Sequence, residues 1–240
     1  MKQYFEIVDV SARQILNSAG NASVEVEITL DDETVGRASV PCSGNAAIEV
    51  ENVNTEIAEV LLGLNALEQS FIDSALTDLD GTSELSRLGQ SAILATSLAC
   101  AKAAAASSGL SLHNYIGGIN AKQLPIPVIG GMAPETADSF FEAVMSTRDV
   151  YVLRAELSEI KYWEYGTLSE ILDAAEFAGR DGERVALVCP NEFTDDETAA
   201  DLAVAFNAEY IIMDIFNTGV INELIRIEEE LFDVAEYAGV

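Results

Sequence analysis

The hydrophobic period changes twice along this chain, and any fold must accommodate all three regimes. In the first forty residues it is two. Phe5, Ile7 and Asp9, then Val24, Val26, Ile28 and Leu30, interleave with Glu25, Glu27 and Thr29, the pattern of half-buried strands. Asn17-Ser18-Ala19-Gly20-Asn21 supplies one turn and Asp31-Asp32-Glu33 a second. With a third strand over Thr34–Val40, the opening is an antiparallel meander. The period then becomes helical. Val50, Val53, Ile57, Val60 and Leu61 share one face, and Leu67, Phe71, Ala75 and Leu76 another. An alanine-rich helix follows over Ser91–Ser107, with Gly109 as its C-terminal stop. Its small side chains imply close packing against a neighbour.

Gln123–Thr136 holds three of the five prolines and the Gly130-Gly131 pair, which marks it as the boundary between a domain at 1–122 and one at 123–240. Beyond it strands and helices alternate. Phe140–Ser146, Val150–Leu153 and Ile160–Tyr165 read as strands. Thr167-Leu168-Ser169-Glu170 is a capping box opening a helix that ends near Gly179. Val185–Cys189 reads as a buried strand. Thr194-Asp195-Asp196-Glu197 is a second capping box for a helix through Phe206, followed by a strand over Tyr210–Phe216 and a closing helix over Ile221–Tyr237. This alternation implies a mainly parallel sheet.

The chain has 240 residues, 49% of them hydrophobic, enough for a sizeable core. Acids outnumber bases 41 to 12, a formal charge of −29. A field of that sign repels phosphate backbones and anionic lipid, so the expectation is no nucleic acid and no membrane partner. Residues 1–9 lack the apolar run of a secretion signal, and no stretch approaches the ~20 apolar residues of a membrane span. Cys42, Cys100 and Cys189 form no CxxC pair and read as reduced thiols, which fits a cytoplasmic location. His113, the single histidine, leaves little material for a histidine-rich metal site and reads as a surface or hydrogen-bonded side chain.

Several collinear segments resemble the enolase family. Ala12-Arg13-Gln14-Ile15-Leu16-Asn17-Ser18-Ala19-Gly20-Asn21 with Val24-Glu25-Val26 is similar to AREILDSRGNPTVEV, and Gly36-Arg37-Ala38-Ser39-Val40-Pro41 to GRAAVP. Glu51-Asn52-Val53-Asn54 resembles part of AVENVN. Leu79-Asp80-Gly81-Thr82 and Leu88-Gly89-Gln90-Ser91-Ala92-Ile93-Leu94 follow LDGT and LGANAIL. Leu124-Pro125-Ile126-Pro127 follows LPVP, Ala200-Asp201-Leu202-Ala203-Val204-Ala205 follows IADLAVA, and Leu224-Ile225-Arg226-Ile227-Glu228-Glu229-Glu230 follows LLRIEEE. The resemblance implies an α/β fold: an enolase-type N-terminal α+β domain plus a truncated, incomplete TIM-like β/α barrel, with any active site at the strand C-termini. It also implies magnesium and dehydration of 2-phosphoglycerate to phosphoenolpyruvate. That reaction uses a lysine base, carboxylate-held metal for the developing charge, and an acid for the leaving hydroxide.

Set against those motifs, most of the chemical parts are replaced. The family's mobile SGAST loop is cut to Cys42-Ser43-Gly44-Asn45-Ala46-Ala47. Ala133 stands where NGGxHA has its histidine. The middle barrel and its metal carboxylates have no counterpart between Met145 and Ile160, a gap too short for several βα units of about 30 residues each. The phosphate-binding SHRSGET segment reads Cys189-Pro190-Asn191-Glu192-Phe193-Thr194, with Asn191 for arginine and an added carboxylate at Glu192. Ile212 aligns with the second family lysine. Two positions persist: Glu142 in Phe140-Phe141-Glu142 matches the acidic residue of FQE, and Lys161 in Lys161-Tyr162-Trp163-Glu164-Tyr165-Gly166-Thr167 matches the lysine base of KVNQIGT. They are the candidate catalytic pair; the alternative is a structural ion pair between neighbouring strands.

The resulting expectation is an enolase-like protein without hydratase activity that acts as a binding, assembly or regulatory homologue, with no cofactor. The alternative is a magnesium-dependent phosphopyruvate hydratase with a rebuilt site. Four or five strands cannot close an eight-stranded barrel, so open edges favour a homo-oligomer, a dimer first. Hetero-association with a full-length enolase is a further expectation. Asp78-Leu79-Asp80-Gly81 lacks the closing glutamate of a calcium loop, and Gly117-Gly118 and Gly130-Gly131 lack a nucleotide-binding framework.

Overall fold

A computed structural model describes residues 4–42, 44–135, 137–147, 150–152, 157–180 and 182–238. Ser43 of the shortened loop, Thr136 of the proline-rich stretch and Leu153 of an expected strand lie outside them. The chain forms two compact units. One holds residues 4–112 with 163–171 and 192–195; the other holds the remaining described residues.

The first unit opens with the antiparallel meander, β1 (Ile7–Leu16), β2 (Ala22–Leu30) and β3 (Val35–Pro41), in that order across the sheet. Asn17 Oδ1 accepts from the N–H groups of Ala19 (3.1 Å) and Asn21 (2.9 Å), which folds the first turn. The middle strand is buried on both faces: Val24, Val26 and Ile28 are inaccessible, and Glu25 is covered by Arg13, whose Nη1 donates to it (2.6 Å). Asn54 seals the outer edge of β1, accepting from Ala12 N–H (2.7 Å) and donating to its carbonyl (3.1 Å).

The helices follow as α1 (Ala46–Asn52), a π-helical turn (Val53–Ile57), α2 (Ala58–Leu61), α3 (Gln69–Asp80) and α4 (Gln90–Ser107). Asn45 caps α1 through the N–H groups of Ala47 and Ile48. Helix α4 is buried almost all round. A Cβ at Gly36 of β3 would lie 2.2 Å from Ala99 O and 2.3 Å from Ala103 N, so only glycine against alanine allows this approach. The face expected for α3 is rotated: Phe71 is exposed, while Ile72, Asp73, Leu76 and Asp80 are buried.

The second unit begins within α5 (Leu112–Gly117), at His113, and runs through β4 (Gln123–Leu124), β5 (Ile126–Ile129), β6 (Met132–Ala133), α6 (Phe140–Met145), β7 (Val150–Tyr151) and β8 (Ser158–Ile160). It continues with α7 (Leu168–Arg180), whose first turn belongs to the first unit, then β9 (Val185–Val188), α8 (Thr198–Ala205), β10 (Tyr210–Met213), α9 (Thr218–Leu231) and β11 (Glu236–Tyr237). Six strands form one sheet in the order β7-β6-β5-β10-β9-β8. The run β5-β10-β9-β8 is parallel, and β6 and β7 extend it antiparallel. The sheet does not close: among the described residues β7 and β8 are its edges. Leu187, Ile211 and Ile212 fill its centre without exposure.

Four expectations need correction here. Phe140–Met145 is a helix, not a strand: Ser139 Oγ accepts from Glu142 N–H (3.1 Å), and Phe140 and Ala143, three apart, take the buried face. The strand expected over Ile160–Tyr165 stops at Ile160, and Tyr162–Glu164 forms a 3₁₀ turn. The second capping box does not form, because the Thr194 hydroxyl pairs with that of Ser39 (2.6 Å); Asp196 Oδ1 instead accepts from Thr198 N–H (2.7 Å), and α8 starts there. The closing helix stops at Leu231, after which Phe232 takes φ +49° and β11 pairs in parallel with β4. Thr167-Leu168-Ser169-Glu170 does open α7, with Thr167 Oγ1 accepting from Glu170 N–H and Glu170 Oε2 accepting from Gly166 N–H (2.8 Å). No single helix among the described residues is long and apolar enough to cross a membrane.

Candidate functional site

In a sheet of parallel strands carrying helical crossovers, the chemistry belongs at the carboxyl ends. Register fixes that rim here. Met213 lies opposite Ile129, Ile212 opposite Val188, and Ile160 opposite Leu187. The residues that leave the strands are therefore Gly130 after β5, Asp214 after β10, Cys189 after β9 and Lys161 after β8. Gly130 N–H donates to Met213 O (2.9 Å) and Cys189 N–H to Ile212 O (2.8 Å), extending the ladder to the rim.

Lys161 is half-buried and leaves the edge strand β8. Beneath it in sequence, Tyr162 is buried. Burial, and after it the charge of Asp196, holds its hydroxyl protonated far above the ordinary tyrosine range. The Cys189 thiol is pushed up to about 12 by burial, which leaves no thiolate at neutral pH. Glu142 is exposed on α6, and its Oε2 accepts from Asp138 N–H (3.1 Å). Helix α6 connects β6 and β7, at the opposite end of the sheet from β8. Glu142 is on a helix and on no strand, so the two do not form a pair between neighbouring strands.

The replaced positions are built into the scaffold. Ile212 is inaccessible in the centre of β10, and Ala133 is buried in β6. Glu192 Oε2 accepts from Asn17 Nδ2 and Asn21 Nδ2 (both 2.9 Å), while Ser18 N–H donates to Phe193 O (2.7 Å). The segment that resembles a phosphate loop is therefore fastened to the β1–β2 turn by a carboxylate. Among the described residues no group of three or more His, Cys, Asp or Glu side chains is arranged to hold a metal ion. His113 is not at the surface: it is inaccessible, its N–H donates to Asp201 Oδ1 (3.1 Å), and its ring lies 3.4 Å from that carboxylate.

A second polar cluster went unforeseen. Asp73, buried on α3, accepts from Gln69 Nε2 (2.9 Å), Ser97 Oγ (2.6 Å), Ser169 N–H (3.0 Å) and Ser169 Oγ (2.6 Å). Ser97 Oγ also accepts from Leu168 N–H (2.9 Å). Together they hold the first turn of α7, a few residues past Lys161, against α3 and α4. A carboxylate at a helix N-terminus is favoured electrostatically as well. No local pattern signals this, because Asp73 looks like any solvent-facing acid in its helix. Beside the cluster lies a polar cleft of about 260 Å³ lined by Thr82, Ser83, Glu84, Gln90, Glu164 and Glu170 among others.

Among the described residues the rim thus holds Lys161, the exposed carboxylate of Asp214 and the buried Cys189 thiol, with the Glu192 loop next to β9 engaged in structural bonding. Two family models match this chain: the enolase N-terminal domain over residues 44–116, and the enolase C-terminal TIM barrel domain over residues 155–240. Lys161 lies within the second match. Glu142 lies within neither.

Proposed function

Since this chain belongs to the enolase family, we propose that it is a shortened member that keeps the family's architecture, lacks hydratase activity and serves as a binding or assembly homologue. The observation that carries this is the donor set at the strand ends. Removing a carbon-bound proton creates a carbanion, and the family reaction depends on metal charge to stabilise it. A lysine base lowers that barrier little without such charge. Asn191, Glu192 and the buried Ile212 replace the positive groups that would face a phosphate and a carboxylate, and Glu192 repels both. Asn17 and Asn21 engage that carboxylate, which favours a structural role for its loop.

The partners that fit this reading are further copies of the chain, with a homodimer as the first candidate, and a full-length enolase in the same cell. Among the described residues the sheet edges at β7 and β8 leave backbone groups for which self-association is the simplest cover. The decisive experiment follows phosphoenolpyruvate formation from 2-phosphoglycerate by ultraviolet absorbance in excess magnesium. No turnover above background is the expected outcome. Turnover that disappears in Lys161→Ala would instead establish a hydratase with a rebuilt site. Co-purification with a tagged full-length enolase tests the partner, and homomeric species alone at high concentration count against it.

A further inference from the structure

The fold gathers like charges that it does not neutralise. With 41 acidic and 12 basic side chains, most carboxylates have no basic partner even under perfect one-to-one pairing. The bases are moreover shared. Arg226 Nη1 serves both Glu197 (3.1 Å) and Glu223 (2.6 Å). Arg13 is divided between Glu25 and Glu27 on the meander. Burial, together with the adjacent Glu223, outweighs Arg226 and raises the carboxyl of Glu197 above its ordinary value. Glu84, Glu164 and Glu170, from three different segments, line one cleft.

The accessible surface is 11053 Å² for a net charge of −29, about one uncompensated charge per 380 Å², or a mean spacing of ~20 Å. The Debye length is about 30 Å at 0.01 M salt, about 10 Å at 0.1 M and about 3 Å at 1 M. At low ionic strength every excess carboxylate therefore feels several others, and compaction brings them closer than in the unfolded chain. Self-repulsion of this kind opposes the compact state.

We propose that the folded state of this chain depends on a concentrated atmosphere of monovalent cations, its ligand being the diffuse cation cloud and not an ion held at one position. The dependence is a property of the summed field, so any small monovalent cation serves.

Thermal melting of the full chain, followed by circular dichroism in potassium chloride and in choline chloride, tests this. Between about 0.05 M and about 2 M salt the midpoint should rise by more than about 10 °C, and equally in both salts. A second chain carries Glu51→Gln, Glu59→Gln, Asp173→Asn and Glu229→Gln, all at exposed positions. It should melt above the parent in dilute salt and level with it in concentrated salt. A midpoint that ignores salt overturns the proposal. So does a rise with potassium but not choline, or a gap between the two chains that is the same at every concentration.

Discussion

The meander with its helices and the parallel sheet with its rim descend from one family fold, yet they have kept different things. In the first unit the family-like residues do structural work. Gly36 admits α4, Asn54 closes the β1 edge, and Asp80 of the Leu-Asp-Gly-Thr motif accepts from Leu88 N–H (2.7 Å) and Thr82 N–H (3.1 Å). In the second unit the positions that the resemblance matches to the family's chemistry hold Ala133, Asn191 and Ile212, while Arg226 and Glu228 of the closing motif act as structural links. Glu228 Oε1 accepts from Phe140 N–H (2.9 Å) and from the Tyr237 hydroxyl. The motif residues that pack and cap the fold persist, whereas of the positions that the resemblance matches to the family's chemistry only Lys161 and Glu142 keep their residue type. A resemblance rich in the first kind is consequently strong evidence for architecture and weak evidence for catalysis.

That contrast is open to direct attack. The largest effect should come from Asp73→Ala, which strands several buried donors at once; a loss of about 3 kcal/mol in urea unfolding is expected. A change under about 1 kcal/mol would mean that α7 does not need its anchor. Asp80→Asn should cost about 1–2 kcal/mol near neutral pH, because an amide cannot accept from Thr82 and Leu88 equally well. Burial alone would raise the Asp80 carboxyl, but its bonds from Thr82 and Leu88 and the charge of Arg87 hold it below the ordinary value. A group depressed on folding contributes stability above its unfolded pKa, and loses it as pH falls through the folded one. The gap between wild type and Asp80→Asn should accordingly narrow below about pH 4. The smallest effect belongs to the catalytic candidate: Glu142→Gln, exposed and still able to accept from Asp138 N–H, should shift stability by less than about 0.5 kcal/mol. A much larger loss there would erase the distinction between the two regions.

The legibility of the sequence followed the same division. The meander was readable because its period of two is sustained over three strands with clear turn residues, and the α4 packing because alanines repeat on every face. The rotated face of α3 was not, because Phe71 outweighs Asp73 on any hydrophobic scale, whereas the buried serines and Gln69 that satisfy Asp73 lie far away or look solvated. Phe140-Phe141 suggested a strand by aromatic content, and Ser139 as a cap decided for a helix. At the rim, resemblance pairs Lys161 with Glu142, but that Lys161 leaves the edge strand β8 while Glu142 lies on a helix depends on β10 inserting between β5 and β9 and on the Ser139 cap, and the strand order is encoded by no local pattern. The buried state of His113 was hidden for the same reason, since Asp201 is supplied by a helix much later in the chain.

Hydrogen bonds from Ser169 to Asp73 and from Asn17 to Glu192 join positions 96 and 175 residues apart. As the chain leaves a ribosome, the N-terminal strands and helices emerge long before the segments that satisfy them. The bonds that residues 163–171 and 192–195 give to Asp73, Ser97, Asn17 and Asn21 form only once those segments are released, while the meander and its helices close on one another from residues 4–112 alone. The polar bonding of the half made first is therefore completed last.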